Sequence, residues 1–310
     1  MTKSIPVFYH DEQVHDACSY SKSPLKPGLM ARRLALDPAF TITGNDGPDS
    51  LIYPVAADRL SLTHDPAHVK ALIAGEKADG FGNKSKKDNR AIRMTVGNYL
   101  VAAEWAVAGK REDGEANIIH PGVVWSLTSG FHHAHYASCH GFCTYNALNL
   151  AAAELWKFRG VKSLIIDGDA HYGDGCADII RECGQGEYLR YLQLGVDHGA
   201  GWDRDIYIQK IERAIEQQKP GLIMYQAGAD AWVGDPLNCG GLTMDELYQR
   251  DLATLMLAKR HDIPIVVNLA GGYADNYEDT LLIHMNTGEA MKEVFLGRGC
   301  ATIPEKEMLA

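Results

Sequence analysis

Short runs of apolar residues alternate along the chain with longer segments in which apolar positions recur every three to four residues. The short runs are typical of buried β-strands and predict six of them, at residues 5–9, 122–127, 163–166, 191–195, 221–226 and 263–269. The longer segments predict helices at residues 66–74, 95–108, 143–158, 207–217, 244–259 and 278–296. Thr243-Met-Asp-Glu246 has the pattern of a capped helix start. Strands that alternate with helices favour a mainly parallel sheet covered on both faces.

The segments between these elements contain no repeat, no low-complexity tract and no Pro/Ser-rich linker. A single domain over residues 1–310 is therefore predicted. The polar stretch at residues 79–93 is broken by Gly80, Gly82 and Asn83, and we interpret it as a long functional loop within that domain.

Composition narrows the class of protein. Hydrophobic residues make up 46% of the chain and charged residues 23%, which is ordinary for a globular protein. The net charge is −10 and no basic run is interleaved with aromatic residues, so nucleic-acid binding is not expected. The first residues lack the apolar segment of a signal peptide and no apolar run reaches about 18 residues, so a cytoplasmic location without membrane contact is expected. The seven cysteines are odd in number and scattered, and are expected to be reduced.

Chemically reactive residue types follow four of the predicted strands at the point where each strand ends. Open parallel α/β sheets form their sites at the carboxyl ends of strands, so we expect these segments to meet. They are Gly130-Phe-His132-His133, Asp167-Gly-Asp169-Ala-His171-Tyr-Gly-Asp174, Gly228-Ala-Asp230 and Leu269-Ala-Gly-Gly-Tyr273.

Asp169, His171 and Asp230 are candidate ligands of one catalytic metal ion. Two carboxylates and one imidazole leave a coordination position open for water, which is the pattern of a catalytic zinc site. Such an ion lowers the pKa of its water to about 7 and polarises a carbonyl group. A manganese pair is the competing interpretation, but it needs a further carboxylate beside the first ion. Gly173 and Trp232 stand where that ligand is sought, and a single metal is therefore predicted.

His132 and His133 are the candidate acid–base residues. Asp167 and Asp174 are not needed as zinc ligands, so each can accept a hydrogen bond from the Nδ1–H of one imidazole. His133 paired with Asp174 is predicted to be the general base on the metal-bound water. Tyr273 follows two glycines that allow close backbone approach, and its phenol can donate to a developing oxyanion.

Two further features lie next to the histidine pair. Gly141 and Phe142 suit one wall of a narrow apolar tube for an alkyl chain, and Phe142 can also belong to the apolar start of the helix at 143–158. Cys139 and Cys143, with His135 and His140 nearby, have the residue types of a zinc knuckle. No second Cys/His pair accompanies them, so we interpret these cysteines as packing residues.

Taken in this order, the motifs resemble those of the zinc-dependent histone deacetylase family, including its bacterial deacetylase-like and acetylpolyamine amidohydrolase relatives. The resemblance covers most of the chain. It is carried by His64-Asp-Pro-Ala-His68, Gly130-Phe-His-His-Ala134, Gly141-Phe-Cys-Thr-Tyr-Asn146, Asp167-Gly-Asp-Ala-His-Tyr-Gly-Asp-Gly175, Gly228-Ala-Asp-Ala-Trp-Val-Gly-Asp-Pro-Leu237 and Gly271-Gly-Tyr273.

The resemblance implies an arginase-deacetylase fold with a central parallel sheet of about eight strands. It implies one zinc ion per chain on Asp169, His171 and Asp230. It also implies a structural potassium ion near Asp167, bound by backbone oxygens of Asp169 and His171. Leu237, at the end of the motif that begins at Gly228, is expected to contact substrate together with Gly141 and Phe142.

Three departures from the family pattern bear on these expectations. The loop after the strand at 191–195 is short, and Trp202 is predicted either to close the acyl-lysine tube there or to anchor the helix at 207–217. Val196 or Asp197 stands where a serine ligand of the potassium ion is usual. Ser23-Pro-Leu-Lys26-Pro replaces the usual Arg-Pro segment near the acetate exit.

The sequence thus predicts a zinc amidohydrolase that removes acetyl, or another short acyl group, from an amine on an alkyl stem. The leading substrate is ε-N-acetyl-lysine in a protein or peptide, and the nearest alternative is an acetylpolyamine or another small amide. A catalytically silent acyl-lysine-binding module is an alternative of a different class, and a dimanganese ureohydrolase-type enzyme is a further one. Association into a homo-oligomer is left open.

Overall fold

A seven-stranded sheet forms the centre of the computed structural model, which describes residues 3–17, 21–44, 50–109, 122–195, 202–237 and 241–297. Its strands are β1 (Ile5–Phe8), β2 (Phe40–Thr43), β3 (Val123–Ser129), β4 (Ser163–Asp167), β5 (Leu189–Gln193), β6 (Leu222–Gln226) and β7 (Ile265–Ala270). They lie in the order β2-β1-β3-β7-β6-β4-β5, and all neighbouring strands are parallel. The four strands that carry the predicted motifs are therefore adjacent, in the order β3-β7-β6-β4.

Helices cover both faces of the sheet. They are α1 (Lys26–Leu34), α2 (Ala57–Leu60), α3 (Pro66–Ala74), α4 (Lys86–Ala108), α5 (Ala147–Arg159), α6 (Asp174–Glu182), α7 (Arg204–Gln218), α8 (Met244–Arg260) and α9 (Tyr277–Met291), which continues as a π-helical turn over Lys292–Leu296. None of the helices in these described ranges is both long and apolar enough to cross a membrane.

Alternate residues of the strands enter two separate hydrophobic cores. Val123 and Trp125 of β3 face a core formed with α1, α7, α8 and α9. Val124, between them, faces the second core, formed with α3, α4 and α5. Because both faces of each strand are buried, the strands are apolar at nearly every position, which explains why they are visible in the sequence as continuous apolar runs.

The six predicted strands and six predicted helices are present, with differences at their ends. The capped start at Thr243 is confirmed, since Glu246 N donates to the Thr243 side chain. Three helices and one strand were not predicted: α1, α2, α6 and the edge strand β2, in which only Phe40 is buried. The described residues contain seven strands, against about eight expected.

Two of the predicted boundaries were wrong. Residues 86–93, interpreted as loop, form the first turns of α4, because Ser85 caps them by accepting from Asp88 N. The helix predicted from residue 143 begins only at Ala147, where Asn146 accepts from Asn149 N. In both places a polar capping residue, and not the apolar periodicity, fixes the helix start.

Candidate metal centre and active site

The carboxyl ends of β3, β7, β6 and β4 bring the predicted site residues together. β3 leads to His132 and His133, β4 to Asp167 and Asp169, β6 to Asp230, and β7 to Gly271 and Tyr273. The residues come from four distant parts of the sequence, so the order of strands in the sheet creates the site.

Asp169, His171 and Asp230 form a compact group of candidate metal ligands, with ligand atoms that all lie within 4.8 Å of one another. His171 Nδ1 is 3.2 Å from Asp169 Oδ1 and 3.0 Å from Asp230 Oδ2. Backbone amides fix both carboxylates, since Gly271 N donates to Asp169 Oδ2 at 2.8 Å and Ala170 N to Asp230 Oδ1 at 3.1 Å. The two aspartates are buried and the histidine is half-buried, so the group is accessible from one side.

Two buried carboxylates so close together require positive charge. Burial raises the pKa of Asp230, and the negative charge of Asp169 raises it further. Hydrogen bonds to the same two carboxylates raise the pKa of His171 to about 11. A divalent cation with a neutral imidazole satisfies the same demand for charge, and this donor set fits a catalytic zinc ion.

Two glycines keep the space beside these carboxylates open. A Cβ atom on Gly271 would lie 2.1 Å from Asp230 Oδ2 and 2.6 Å from Asp169 Oδ2. A Cβ atom on Gly228 would lie 2.7 Å from Asp169 Cα and 2.8 Å from Asp230 Oδ1. Any larger residue would displace the ligand oxygens, so both glycines are needed for the metal-binding geometry.

His132 and His133 each pair with the aspartate assigned to them from the sequence. Nδ1 of His132 lies 2.8 Å from Asp167 Oδ2, and Nδ1 of His133 lies 2.8 Å from Asp174 Oδ1. Because a carboxylate only accepts, Nδ1 carries the proton in both rings and Nε2 faces the site. The His132 Nε2 atom is 3.6 Å from Asp169 Oδ1, which places this ring directly beside the metal ligands.

The two histidines differ in charge. Burial lowers the pKa of His132, but the charges of Asp167 and Asp169 outweigh burial and raise it to about 9. Burial also lowers the pKa of His133, and the neighbouring charge on His132 lowers it further against the opposing effect of Asp174. A cation bound to Asp169 offsets the effect of that carboxylate on the pKa of His132, but the effect of Asp167 remains. The arrangement thus favours a cationic His132 beside a His133 that is neutral and free to accept a proton.

Asp167 lies at the centre of a buried network that sequence reasoning did not find. Besides His132, its carboxylate accepts from Tyr191 Oη at 2.7 Å, Gln226 Nε2 at 2.9 Å and Asp169 N at 3.1 Å. These donors stabilise its negative charge. Gln226 is the last residue of β6, so a polar residue at the end of an apolar strand was a signal available in the sequence.

The predicted potassium site lies partly outside the described residues, which do not include Val196 and Asp197. The carbonyl oxygen of Asp169, which the resemblance assigns to potassium, accepts a hydrogen bond from Gln193 Nε2 at 3.1 Å. Potassium binding near Asp167 stays a prediction.

Gly141 and Phe142 lie against the histidine pair. Gly141 has φ +57°, and a Cβ atom there would lie 2.5 Å from the His133 ring, so only glycine allows this approach. Phe142 also has a positive φ of 62°, which is strained for a residue with a side chain. Its ring centroid lies 5.5 Å from that of Tyr273, so these two aromatic rings are neighbours beside the metal group.

The loop before α4 holds Phe142 in this conformation. Phe142 N donates to Gly80 O at 3.0 Å, and the Phe81 ring packs on the Phe142 ring with centroids 5.8 Å apart. Gly80 N in turn donates to Thr144 Oγ1 at 3.0 Å. Residues 79–85 therefore support Phe142 beside the histidine pair, and a functional role of this stretch stays a prediction.

Tyr273 is fixed through its backbone, since its N–H donates to Asp235 Oδ2 at 2.6 Å. Burial, together with the charges of Asp169 and Asp230, raises the pKa of its phenol. The hydroxyl therefore stays protonated at neutral pH and is able to donate a hydrogen bond.

For Trp202 and Leu237, the contacts within the described part of the chain are with neighbouring structural residues and not with the metal group. Trp202 is half-buried, and its ring lies 6.2 Å from that of Tyr207 on α7. It packs on a small cluster that includes Ala170 and Ala229, below the loops that carry the metal ligands. This packing favours the anchoring interpretation over closure of a tube. Leu237 N donates to Asp235 Oδ1 at 3.0 Å, on the same carboxyl group that holds Tyr273.

Two buried cations hold the ligand-bearing loops. Lys26 Nζ donates to Ala270 O at 2.6 Å and Gly271 O at 3.1 Å, and burial lowers its pKa to about 8. Arg250 Nη1 donates to the carbonyl oxygens of Gly168 and Gly228, both at 2.9 Å. Lys26 was noticed only as a departure from the family pattern, and nothing in the amphipathic pattern of α8 distinguishes Arg250.

Comparison with known proteins gives three kinds of match. The histone deacetylase domain matches residues 49–186 and 183–287. An uncharacterized protein of Picosynechococcus sp. is 28% identical over 94% of this chain and 99% of its own length. Acetoin utilization protein AcuC of Staphylococcus aureus is 26% identical over 73% of this chain, which spans 66% of that relative's length. The crystal structure of an acetylpolyamine aminohydrolase from Burkholderia pseudomallei has the same fold, with a TM-score of 0.70 at 14% identity over 94% of this chain and 99% of that one.

Proposed function

Because this chain belongs to the histone deacetylase family, we propose that it is a zinc-dependent deacetylase that hydrolyses ε-N-acyl-lysine in a protein or peptide. Its parallel sheet with helices on both faces is the arginase-deacetylase fold. Family membership supports the class of deacetylase hydrolases. One observation carries the finer proposal. The Asp169–His171–Asp230 group lies next to two His–Asp pairs, of which one favours a cationic histidine, His132, and the other a neutral one, His133. A protein that only binds acyl-lysine needs no such base.

In this proposal Asp169, His171 and Asp230 hold the zinc ion, which when bound supplies a Lewis acid for the amide carbonyl and for water. His133, neutral and oriented by Asp174, takes the proton of the attacking water at Nε2. Tyr273 keeps its hydroxyl proton and donates a hydrogen bond to the oxyanion as it develops. A protonated histidine of the pair gives a proton to the leaving amine, and Asp167 stabilises that charge on His132.

We infer that the substrate is an amine on an alkyl stem that carries a small acyl group. Phe142 and Tyr273 present neighbouring rings beside the metal group, and the net charge of −10 attracts cationic substrates. Lysine-rich peptides and acetylated polyamines both have alkyl stems and positive charge. An acetylpolyamine or another small acylated amine is therefore the alternative substrate.

Turnover by zinc-loaded protein on matched panels of acyl-lysine peptides and N-acetylated polyamines tests this function. We expect hydrolysis with higher kcat/KM on the peptides, and Tyr273→Phe should lower kcat by about 10²–10³ while zinc content is retained. Tyr53→Phe, at an exposed tyrosine, is the control. Absence of turnover on every acylated amine would contradict the proposal, and full activity of Tyr273→Phe would remove the tyrosine from the mechanism.

A further inference from the structure

A second group of metal-binding side chains lies beside the histidine pair. It consists of His135, His140 and Asp174, which we call the rim cluster. His135 and His140 belong to the segment that has the residue types of a zinc knuckle. The cysteines of that segment are not available as thiolates: Cys143 is buried, and burial raises the pKa of Cys139 to about 11. The two histidines of the segment instead lie against the carboxylate of Asp174.

The three ligand atoms of the rim cluster already have the spacing of a metal site. Nε2 of His140 lies 3.1 Å from Nε2 of His135, and each of these atoms lies 3.4 Å from Oδ2 of Asp174. In a tetrahedral zinc site with bonds of about 2.0–2.2 Å, neighbouring ligand atoms are about 3.3–3.6 Å apart. The three atoms therefore approximate one face of a coordination tetrahedron, with the fourth position left for water.

The surrounding residues hold this geometry. Nδ1 of His135 lies 3.3 Å from Asp178 Oδ2, which also accepts from Tyr136 N at 3.0 Å. A carboxylate on the far ring nitrogen is the usual partner of a metal-binding histidine, because it fixes the ring and raises its basicity. His135 N donates to Ser138 O at 2.9 Å and Cys143 N to His140 O at 2.9 Å, so both histidines lie on hydrogen-bonded turns.

An ion can reach the rim cluster from solvent. The side chain of His140 is 51% exposed and that of Asp174 is 39% exposed, whereas Asp169 and Asp230 of the first group are buried. The ligand atoms of His133, His140 and Asp174 also lie within 4.8 Å of one another. Nδ1 of His133, however, is already 2.8 Å from Asp174 Oδ1, so His135 is the better-placed third ligand.

We propose that His135, His140 and Asp174 form a second binding site for zinc or a similar divalent transition metal, and that occupation of this site inhibits the enzyme. Imidazole and carboxylate donors are those that such ions prefer. Inhibition follows from the position of Asp174, whose Oδ1 accepts from His133 while its Oδ2 belongs to the rim cluster. A cation on Oδ2 competes with His133 for the same carboxylate, so His133 loses part of the hydrogen bond that orients it. Only this inhibitory consequence rests on the proposed function.

Zinc stoichiometry tests the site without any activity measurement. After equilibrium dialysis against excess zinc, wild-type protein should hold two equivalents by elemental analysis. The double variant His135→Asn/His140→Gln and the variant Asp169→Asn/Asp230→Asn should each hold one. His261→Gln, a histidine that pairs with Glu212 at the end of α8, is the matched control and should hold two. If the double variant melts at a lower temperature than wild type, the single variant His140→Gln, at the most exposed ligand, replaces it.

Turnover against zinc concentration tests the regulation. Wild type should lose activity when zinc exceeds one equivalent, toward the loss of about 10²-fold expected when a general base is disabled. The double variant should keep its one-equivalent activity in excess zinc. A wild type that binds one equivalent, or a double variant that still binds two, would overturn the site. Two equivalents in wild type and one in the double variant, without turnover in either, would support the site and contradict the proposed function.

Discussion

At the scale of single residues, the site depends on positions that have no room for a side chain. Gly271 is the sharpest case, because its missing Cβ leaves space for the ligand oxygens of Asp230 and Asp169. Its N–H also fixes Asp169 at 2.8 Å. A methyl group here would collide with a ligand oxygen itself, so its effect on metal binding does not depend on changes elsewhere in the fold.

Gly271→Ala should therefore weaken zinc binding by about 10–100-fold or more, the loss typical when the support of a metal ligand is disturbed. Zinc affinity is to be measured by competition with a chelator, alongside the melting temperature of the metal-free protein. Gly186→Ala is the control, since a Cβ there meets no atom within 4 Å. Unchanged affinity in Gly271→Ala would mean that the ligand loop moves freely and that the space is not required.

At the scale of secondary-structure elements, α8 is tied to the ends of β4 and β6 by one buried side chain. Arg250 donates to Gly168 O and Gly228 O, and pairs with Asp251 at 2.8 Å. Both charged side chains are almost fully buried. The pair thus links helix packing to the two loops that carry the metal ligands.

Arg250→Met should lower the free energy of unfolding by about 3–5 kcal/mol, because it leaves Asp251 charged and buried without its partner. Arg260→Met, on the same helix, removes only an exposed pair with Glu212 and should cost less than about 1 kcal/mol. Urea unfolding of the two variants measures the difference. Equal losses would show that the buried pair contributes no more than a surface one.

The starts of α3 and α5 are joined by His64, and this contact makes stability depend on pH. His64 Nε2 accepts from Asn146 N at 2.9 Å and Nδ1 faces His135 O at 2.8 Å, so the neutral ring fits and the cation does not. Burial lowers the pKa of His64 to about 4. Above about pH 6.5 the ring is neutral in both the folded and the unfolded chain, and its contribution to stability is complete.

As the pH falls from about 6.5 to about 4, His64 becomes protonated in the unfolded chain but stays neutral in the folded protein. This should remove about 3 kcal/mol of stability over that range. His64→Gln lacks the titrating group, so its free energy of unfolding should fall less steeply with decreasing pH than that of wild type. Urea unfolding between pH 4.5 and pH 7 gives both slopes, and parallel slopes would contradict the assignment.

At the scale of the whole molecule, metal binding and folding should be coupled. Asp169 and Asp230 follow different strands and approach each other only in the folded sheet. An ion that binds only the folded protein raises the free energy of unfolding by about 2.7 kcal/mol at a free concentration 100 times its Kd.

Zinc should thus raise the melting temperature and a chelator should lower it. The measurement is best made in the His135→Asn/His140→Gln background, which confines the effect to the Asp169–His171–Asp230 group. Asp230→Asn in that background should remove the zinc-dependent shift. A shift that survives Asp230→Asn would place the stabilising ion elsewhere.

Much of the fold was predictable from the sequence because buried strands and helices produce recognisable patterns of apolar residues along the chain. Strands such as β3 and β4 are apolar on both faces, so they stood out as continuous runs. The reactive residues follow directly at their carboxyl ends, which is why His132, Asp169 and Asp230 could be named before their contacts were known. The edge strand β2 escaped notice because only Phe40 in it is buried.

The tertiary structure alone decided which further polar groups surround those residues. Tyr191 and Gln226 donate to Asp167, Arg250 reaches two distant carbonyl groups, and His135 meets Asp174 across 39 positions of sequence. Periodicity reports that an element is buried, but not which polar groups it meets. Those contacts depend on the order of strands in the sheet, since a buried donor must find its acceptor on whichever element lies next to it.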